Sequence, residues 1–117
     1  MVADFAPDRD SLDRLFHALA DTTRRDIVTR AFAGEHSVSG LARLYPMSIA
    51  AVQKHVAVLE RAGLVTRHRR GREQIVRAER EALHRAHAAL DELEAVWRGR
   101  IDRAVVLLTE RDEGDPR

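Results

Sequence analysis

The segment PMSIAAVQKHVAVLERAGLV, Pro46–Val65, constrains this chain more than any other stretch. Ser48 is a strong helix N-cap residue, its hydroxyl placed to accept a first-turn N–H. Gly63 suits the left-handed position that closes a helix. No proline or glycine lies between them, so the interval reads as one helix. At about 100° per residue, Val52, Val56 and Leu59 point one way, with His55 and Ala62 flanking. Ala50, Gln53, Lys54, Ala57 and Arg61 point the other way, with Ile49 and Ala51 on the borders. One apolar set is core. The other is a face of small side chains, which lets the helix backbone approach another surface closely.

The flanking chain supplies partners for this helix. Residues 1–10 are polar and read as a flexible terminus. Leu12, Leu15, Phe16 and Leu19 recur at helical spacing. Asp21 is placed to cap a second helix carrying Ile27, Val28, Ala31 and Phe32, which Gly34 ends. Ser39 is expected to cap a short third helix, GLARLY, that Pro46 stops. After Gly63, two β-prone runs surround Arg70-Gly71 and predict a hairpin over residues 65–76. From Glu79 to Glu110 the chain returns to helix, with Leu83, Ala86, Leu90, Leu93, Trp97, Ile101, Ala104 and Leu108 three or four residues apart. Residues 111–117 read as a disordered tail. There is no repeat and no linker, so residues 11–110 are read as a single domain.

Charge is local rather than global. The net charge is only +1, yet residues 61–80 hold seven Arg against two Glu. A basic patch in a balanced chain is a footprint for a polyanion. There is no cysteine, which removes disulfides and thiolate metal sites. No apolar run exceeds Ala104–Leu108, far below the ~20 residues of a membrane helix. The expectation is a cytoplasmic protein with no membrane partner. No phosphate-binding glycine loop, nucleophile elbow or zinc-hydrolase motif is present, and His17, His36 and Asp26 are scattered over separate elements. Neither an enzyme nor a cofactor is expected.

Two short helices, a tight turn and a basic hairpin form the sequence pattern of a winged helix-turn-helix. A helix fits the major groove of duplex DNA, where base edges are distinguishable, while a basic hairpin reaches neighbouring phosphates. Ser48, Ile49, Ala50, Gln53, Lys54 and His55 are the candidate contacts on the helix, and Arg67, Arg69, Arg70 and Arg72 those on the wing. Gln53 can pair bidentately with adenine, and Ile49 and Ala50 can touch thymine methyls. His55 is equally suited to packing and to a phosphate contact. Because strands alternate faces, only two or three of the four wing arginines are expected to reach DNA.

LADTTRRDIV (Leu19–Val28), YPMSIAAVQKHVAVLERAGLV (Tyr45–Val65) and the following GRE resemble the arsenic-repressor (ArsR-type) winged-helix transcription regulators, most closely their cysteine-free branch. The resemblance spans roughly residues 10–105. It implies a homodimeric repressor, with the recognition helix on Ser48–Ala62, the wing on Val65–Val76 and dimer helices at both ends. Ile49, Ala50 and Gln53 depart from residues common in that branch, so the resemblance does not carry an operator sequence over to this chain.

The fold class expected is mainly α with a small β-hairpin: about five helices plus a two-stranded wing. The last helix carries a stripe too long for one small domain to cover. A dimer seam is expected through Leu12, Leu15, Phe16, Leu90, Leu93, Trp97 and Ile101. His84, His87 and Asp91 share one face of the last helix and are the candidate Zn²⁺ ligands of an alternative, metal-responsive reading. A protein–protein interaction module is the other alternative. No metal is assigned in the favoured reading, and its effector is unknown.

Overall fold

A computed structural model describes residues 2–113, with side chains over 9–110. Eight elements follow one another: α1 (Val2–Leu19), α2 (Thr22–Ala33), β1 (His36–Ser37), α3 (Val38–Ala42), α4 (Ile49–Arg61), β2 (Val65–Arg70), β3 (Glu73–Ala78) and α5 (Arg80–Glu113). Two compact units make up the chain, one through Ala86 and one from His87 onward.

Three side-chain caps set the helix starts in the first unit. Asp21 accepts from the Arg24 N–H at 3.0 Å, Ser37 from Gly40 at 3.0 Å and Ser48 from Ala51 at 3.1 Å. Each satisfies one N–H that has no intrahelical partner. The cap of α3 is therefore Ser37, not Ser39. Helix α3 also ends at Ala42, before Pro46 could stop it. The reason is that Ser37 already has the extended backbone a cap requires and lies directly before Val38, which must be buried. Helix α1 begins at Val2, well ahead of the apolar residues that mark it in the sequence. Residues 114–117 of the expected tail lie outside the described residues, and α5 runs to Glu113.

Helix α4 closes with two hydrogen bonds, Leu64 N–H to the Leu59 carbonyl and Gly63 N–H to the Glu60 carbonyl, both at 3.0 Å. This Schellman turn needs a left-handed residue, and Gly63 supplies φ +77°. The turn sends the chain straight into β2. Strands β2 and β3 pair antiparallel from Val65↔Ala78 to Arg70↔Glu73. The two-stranded wing expected from the sequence gains a third strand, since His36↔Val76 and Ser37↔Ile75 place β1 on the far edge of β3. That strand is too short for any periodicity to announce it.

The core joins every element of this unit except β1. Leu15 and Ala18 of α1, Ile27 and Val28 of α2, Val38 and Leu41 of α3, Val52, Val56 and Leu59 of α4, Leu64, Val65 and Val76 around the sheet, and Ala82 and Ala86 of α5 are buried together. Leu15 is fully enclosed by its own chain, so it serves the core rather than the dimer face expected of it. Phe16 also packs against this core, while Leu12 is half-buried.

A polar network braces the outside. The Tyr45 hydroxyl donates to Asp26, Arg30 Nε donates to the same oxygen at 2.8 Å, and the Arg30 guanidinium lies 5.9 Å from the Tyr45 ring centre. Partial burial, with Asp26 beside it, pushes Tyr45 up to about 12. The Tyr45 hydroxyl and Arg30 hold Asp26 below its usual value, the Arg24 N–H does so for Asp21, and Arg70 for Glu35. Depressed folded-state values stabilise the fold above the unfolded value near 4 and lose that contribution as pH falls through the folded values. Stability should therefore decline as pH drops below about 4. Tyr45→Phe should move Asp26 back up in a carboxylate NMR titration; an unmoved Asp26 would refute the assignment.

Candidate nucleic-acid interface

The residues buried on α4 decide which residues it exposes. With Val52, Val56 and Leu59 inward, Ile49, Ala50, Gln53, Lys54 and Arg61 stand exposed, and Ala51 and Ala57 are half-buried between them. Ser48 opens this face, its hydroxyl turned to the Ala51 N–H. A groove of about 250 Å³ runs beside it, lined by Val38 and Ser39 of α3, Ile49 and Gln53 of α4, and Arg69, Arg72, Glu73 and Gln74 of the hairpin. Helix face and hairpin thus form one surface. Ser39 and Gln74 belong to it although the sequence marked neither as a site residue, because α3 and β3 meet there only through tertiary packing.

The hairpin sorts its arginines by strand alternation and by the acids they meet. Arg67 and Arg69 alternate with His68 and Arg70 along β2, so they leave opposite sides of the sheet. Arg67 donates to Glu60 of α4 through Nε at 3.1 Å and Nη2 at 2.7 Å, which straps the strand to the helix. Arg69 lines the groove, and its Nε donates to the Gly71 carbonyl at 3.2 Å. Arg70 instead grips Glu35 with two hydrogen bonds of 2.9 and 3.0 Å. Arg72 sits in the turn, lines the groove and has no protein hydrogen bond or ion pair among the described residues. Of the four, then, Arg69 and Arg72 share a surface with Gln53, and Arg67 and Arg70 are held by acids. Neither acid was legible as a partner, since Glu60 and Glu35 lie on other elements.

His55 sits on the flank of α4, away from Gln53. Its Nδ1 is 3.3 Å from Arg24 Nη1 and 3.9 Å from Asp21. Arg24 also donates to the carbonyls of Ala18 and His17 at the end of α1, at 2.9 and 3.0 Å. His55 is thus packed into the junction of α1, α2 and α4.

The second unit is the rest of α5. Leu90, Leu93, Trp97 and Ile101 are exposed, Leu93 at 68% and Trp97 at 59%, and so are Val96, Val105, Val106, Leu107 and Leu108. A stripe of this extent is more apolar surface than a lone soluble helix ordinarily leaves to water. Of the candidate metal ligands, His87 Nδ1 lies 3.3 Å from Asp91, and His84 Nε2 accepts from Arg80 at 3.1 Å. Among the described residues, no group of three or more His, Cys, Asp or Glu is arranged to hold an ion. None of the described helices is long and apolar enough to cross a membrane.

Gly71 carries the turn at φ +63°, and among the described residues no non-glycine has positive φ, which matches a type II′ hairpin turn with glycine first. Nothing lies within 4 Å of where a side chain would grow from it. Gly71→Ala should therefore cost only the backbone term, about 1–2 kcal/mol in denaturant unfolding. An unchanged midpoint would show that the turn does not hold this conformation.

Known proteins share these features. A helix-turn-helix domain family matches residues 19–68. An HTH-type transcriptional regulator of Mycobacterium tuberculosis is 51% identical over 55 residues, which is 47% of this chain and about half (51%) of that relative's length. The crystal structure of an ArsR family transcriptional regulator is 33% identical, with 77% of this chain and 93% of that one covered at a TM-score of 0.73. An ArsR-like transcriptional regulator from Rhodococcus sp. RHA1 is 32% identical, with 85% and 93% covered at 0.74. The homodimeric winged helix-turn-helix DNA-binding domain of a Mycobacterium bovis protein is 26% identical, with 78% and 83% covered at 0.64. A helix-turn-helix on α3 and α4, a hairpin wing on β2 and β3, and relatives aligned over most of both chains lead to one conclusion: this chain belongs to the ArsR family of transcriptional regulators.

Proposed function

We propose that the chain works as a homodimeric, sequence-specific repressor that binds duplex DNA at a pseudo-palindromic operator. The observation that carries this reading is the shared groove, in which Gln53 and Ile49 of α4 face Arg69 and Arg72 of the wing. Base-reading chemistry and phosphate-binding chemistry lie on one surface, as a helix in the major groove beside a wing on the backbone requires. Gln53 supplies the donor–acceptor pair for an adenine edge, Ile49 and Ala50 the apolar contacts, and Lys54 a cation beside them. Arg69 and Arg72 add two guanidinium groups to the Lys54 cation of that helix face. Such a protein needs no catalytic group and acts by occupying a promoter.

Dimerisation rests on the α5 face of Leu90, Leu93, Trp97 and Ile101, which an equivalent helix of a second copy would cover with like side chains. Two-fold symmetry would then place two copies of α4 one DNA turn apart, ~34 Å.

Gln53→Ala should alter preference at one base pair per half-site, by roughly 1–3 kcal/mol, with little change in salt dependence. Arg72→Ala should weaken binding to all sequences alike and lower the slope of log K against log salt by about 0.9 for each phosphate no longer neutralised. Binding-site selection followed by anisotropy titrations measures both; equal losses on every sequence from both variants would sink the division into reading and gripping residues. Separately, Trp97→Glu with Leu93→Glu should convert dimers into monomers in sedimentation velocity and weaken operator binding. A dimer that survives both substitutions would place the seam elsewhere.

A further inference from the structure

Glu35 stands between α2 and β1, and its carboxylate reaches the wing. It accepts from Nη1 and Nη2 of Arg70 at 2.9 and 3.0 Å, and from Nη2 of Arg77 at 3.5 Å. Arg70 is the last residue of β2, next to the turn. The contact is two-pronged, the geometry in which a guanidinium also holds a phosphate. It is also in solvent, with side-chain exposures of 57% for Arg70 and 51% for Glu35. Both groups feel the pairing: it lowers the carboxyl value of Glu35 and raises the guanidinium value of Arg70.

We propose that Glu35 is an internal counter-ligand for the wing, whose carboxylate holds Arg70 in the free protein and yields it to a backbone phosphate when the wing meets DNA. This rests on the reading of the hairpin as a DNA-binding wing. Carboxylate and phosphate offer the guanidinium the same fork of two oxygens, so one replaces the other without rebuilding the strand. An exposed pair is weak enough to exchange. A buried one would leave an unpaired charge behind and would not release. Glu35 therefore lowers affinity for every sequence equally. It tempers the sequence-independent attraction of a basic hairpin for any duplex and leaves discrimination to Gln53. Arg69 and Arg72 have no carboxylate of this kind among the described residues and grip phosphate without an exchange.

The test is a four-protein cycle of wild type, Glu35→Gln, Arg70→Ala and the double variant, titrated by anisotropy against a short random-sequence duplex. Glu35→Gln should tighten binding about two- to five-fold, the scale of an exposed ion pair. That gain should vanish in the Arg70→Ala background, so Arg70→Ala must cost more in the Glu35→Gln background than in the wild type. Glu35→Ala should reproduce the gain, which separates loss of charge from any effect of the amide. Looser binding by both Glu35 variants would overturn the proposal and make the carboxylate a strut for the wing. An equal gain with and without Arg70 would overturn it as a general charge effect. The same cycle is run on inorganic polyphosphate, a polyanion without bases. If the wild type ignores the duplex while the polyphosphate cycle keeps its Arg70-dependent gain, the DNA reading fails and the role of Glu35 stands. If the polyphosphate gain is independent of Arg70, the role of Glu35 fails whatever the duplex shows.

Discussion

The inward stripe of α4 holds the rest of the molecule in place. Val52, Val56 and Leu59 are fully buried, and each aliphatic side chain contributes roughly 1.5–3 kcal/mol through that burial. Rolling the helix by one residue would expose this set and push Gln53 and Glu60 toward the core, where neither would find a partner. The roll of α4 is therefore locked. So is its outward face, which carries Ile49, Ala50, Gln53 and Lys54. The hairpin is tied to the same lock, because the Schellman turn at Gly63 delivers Leu64 and Val65 directly into the core shared with Leu59. The groove between helix and wing follows from these few contacts.

Electrostatics then refines what packing has placed. The basic stretch is a row of similar arginines in the chain, but strand alternation and two acids give its members different tasks. Glu60 straps Arg67 to α4, Glu35 holds Arg70 at the sheet edge, and Arg69 and Arg72 remain beside Gln53. Exposed ion pairs of this kind add little stability. Their effect here is to set where each guanidinium points. Junction residues behave in the same manner: Arg24 gathers two carbonyls from the end of α1 and the ring of His55, so the side chain of His55 is held on the flank of α4.

The long last helix carries one apolar periodicity of which the chain covers only the first part. Ala82 and Ala86 are small enough to lie against the core and are buried. Beyond them the same spacing carries Leu90, Leu93, Trp97 and Ile101, large side chains that the chain itself leaves exposed. Periodicity predicts a helix in both halves with equal force. Coverage is a separate matter, which depends on whether any other element is present to pack against that face.

Local chemistry determined much of this protein from the sequence alone. The caps at Asp21 and Ser48, the left-handed stop at Gly63, the turn at Gly71 and the two faces of α4 all follow from interactions within a few residues, which a linear chain displays directly. Tertiary structure decided the rest. Ser37 in place of Ser39 as a cap, the third strand at His36–Ser37, the enclosure of Leu15 and the pairing of Arg70 with Glu35 depend on residues distant in sequence meeting in space. A hydrogen bond across 35 positions leaves no periodic trace. Burial of one leucine among several on a helix is set by the neighbours that arrive, not by its own spacing. The sequence therefore displays which faces exist, and the fold decides which are covered and which charges are left free to bind.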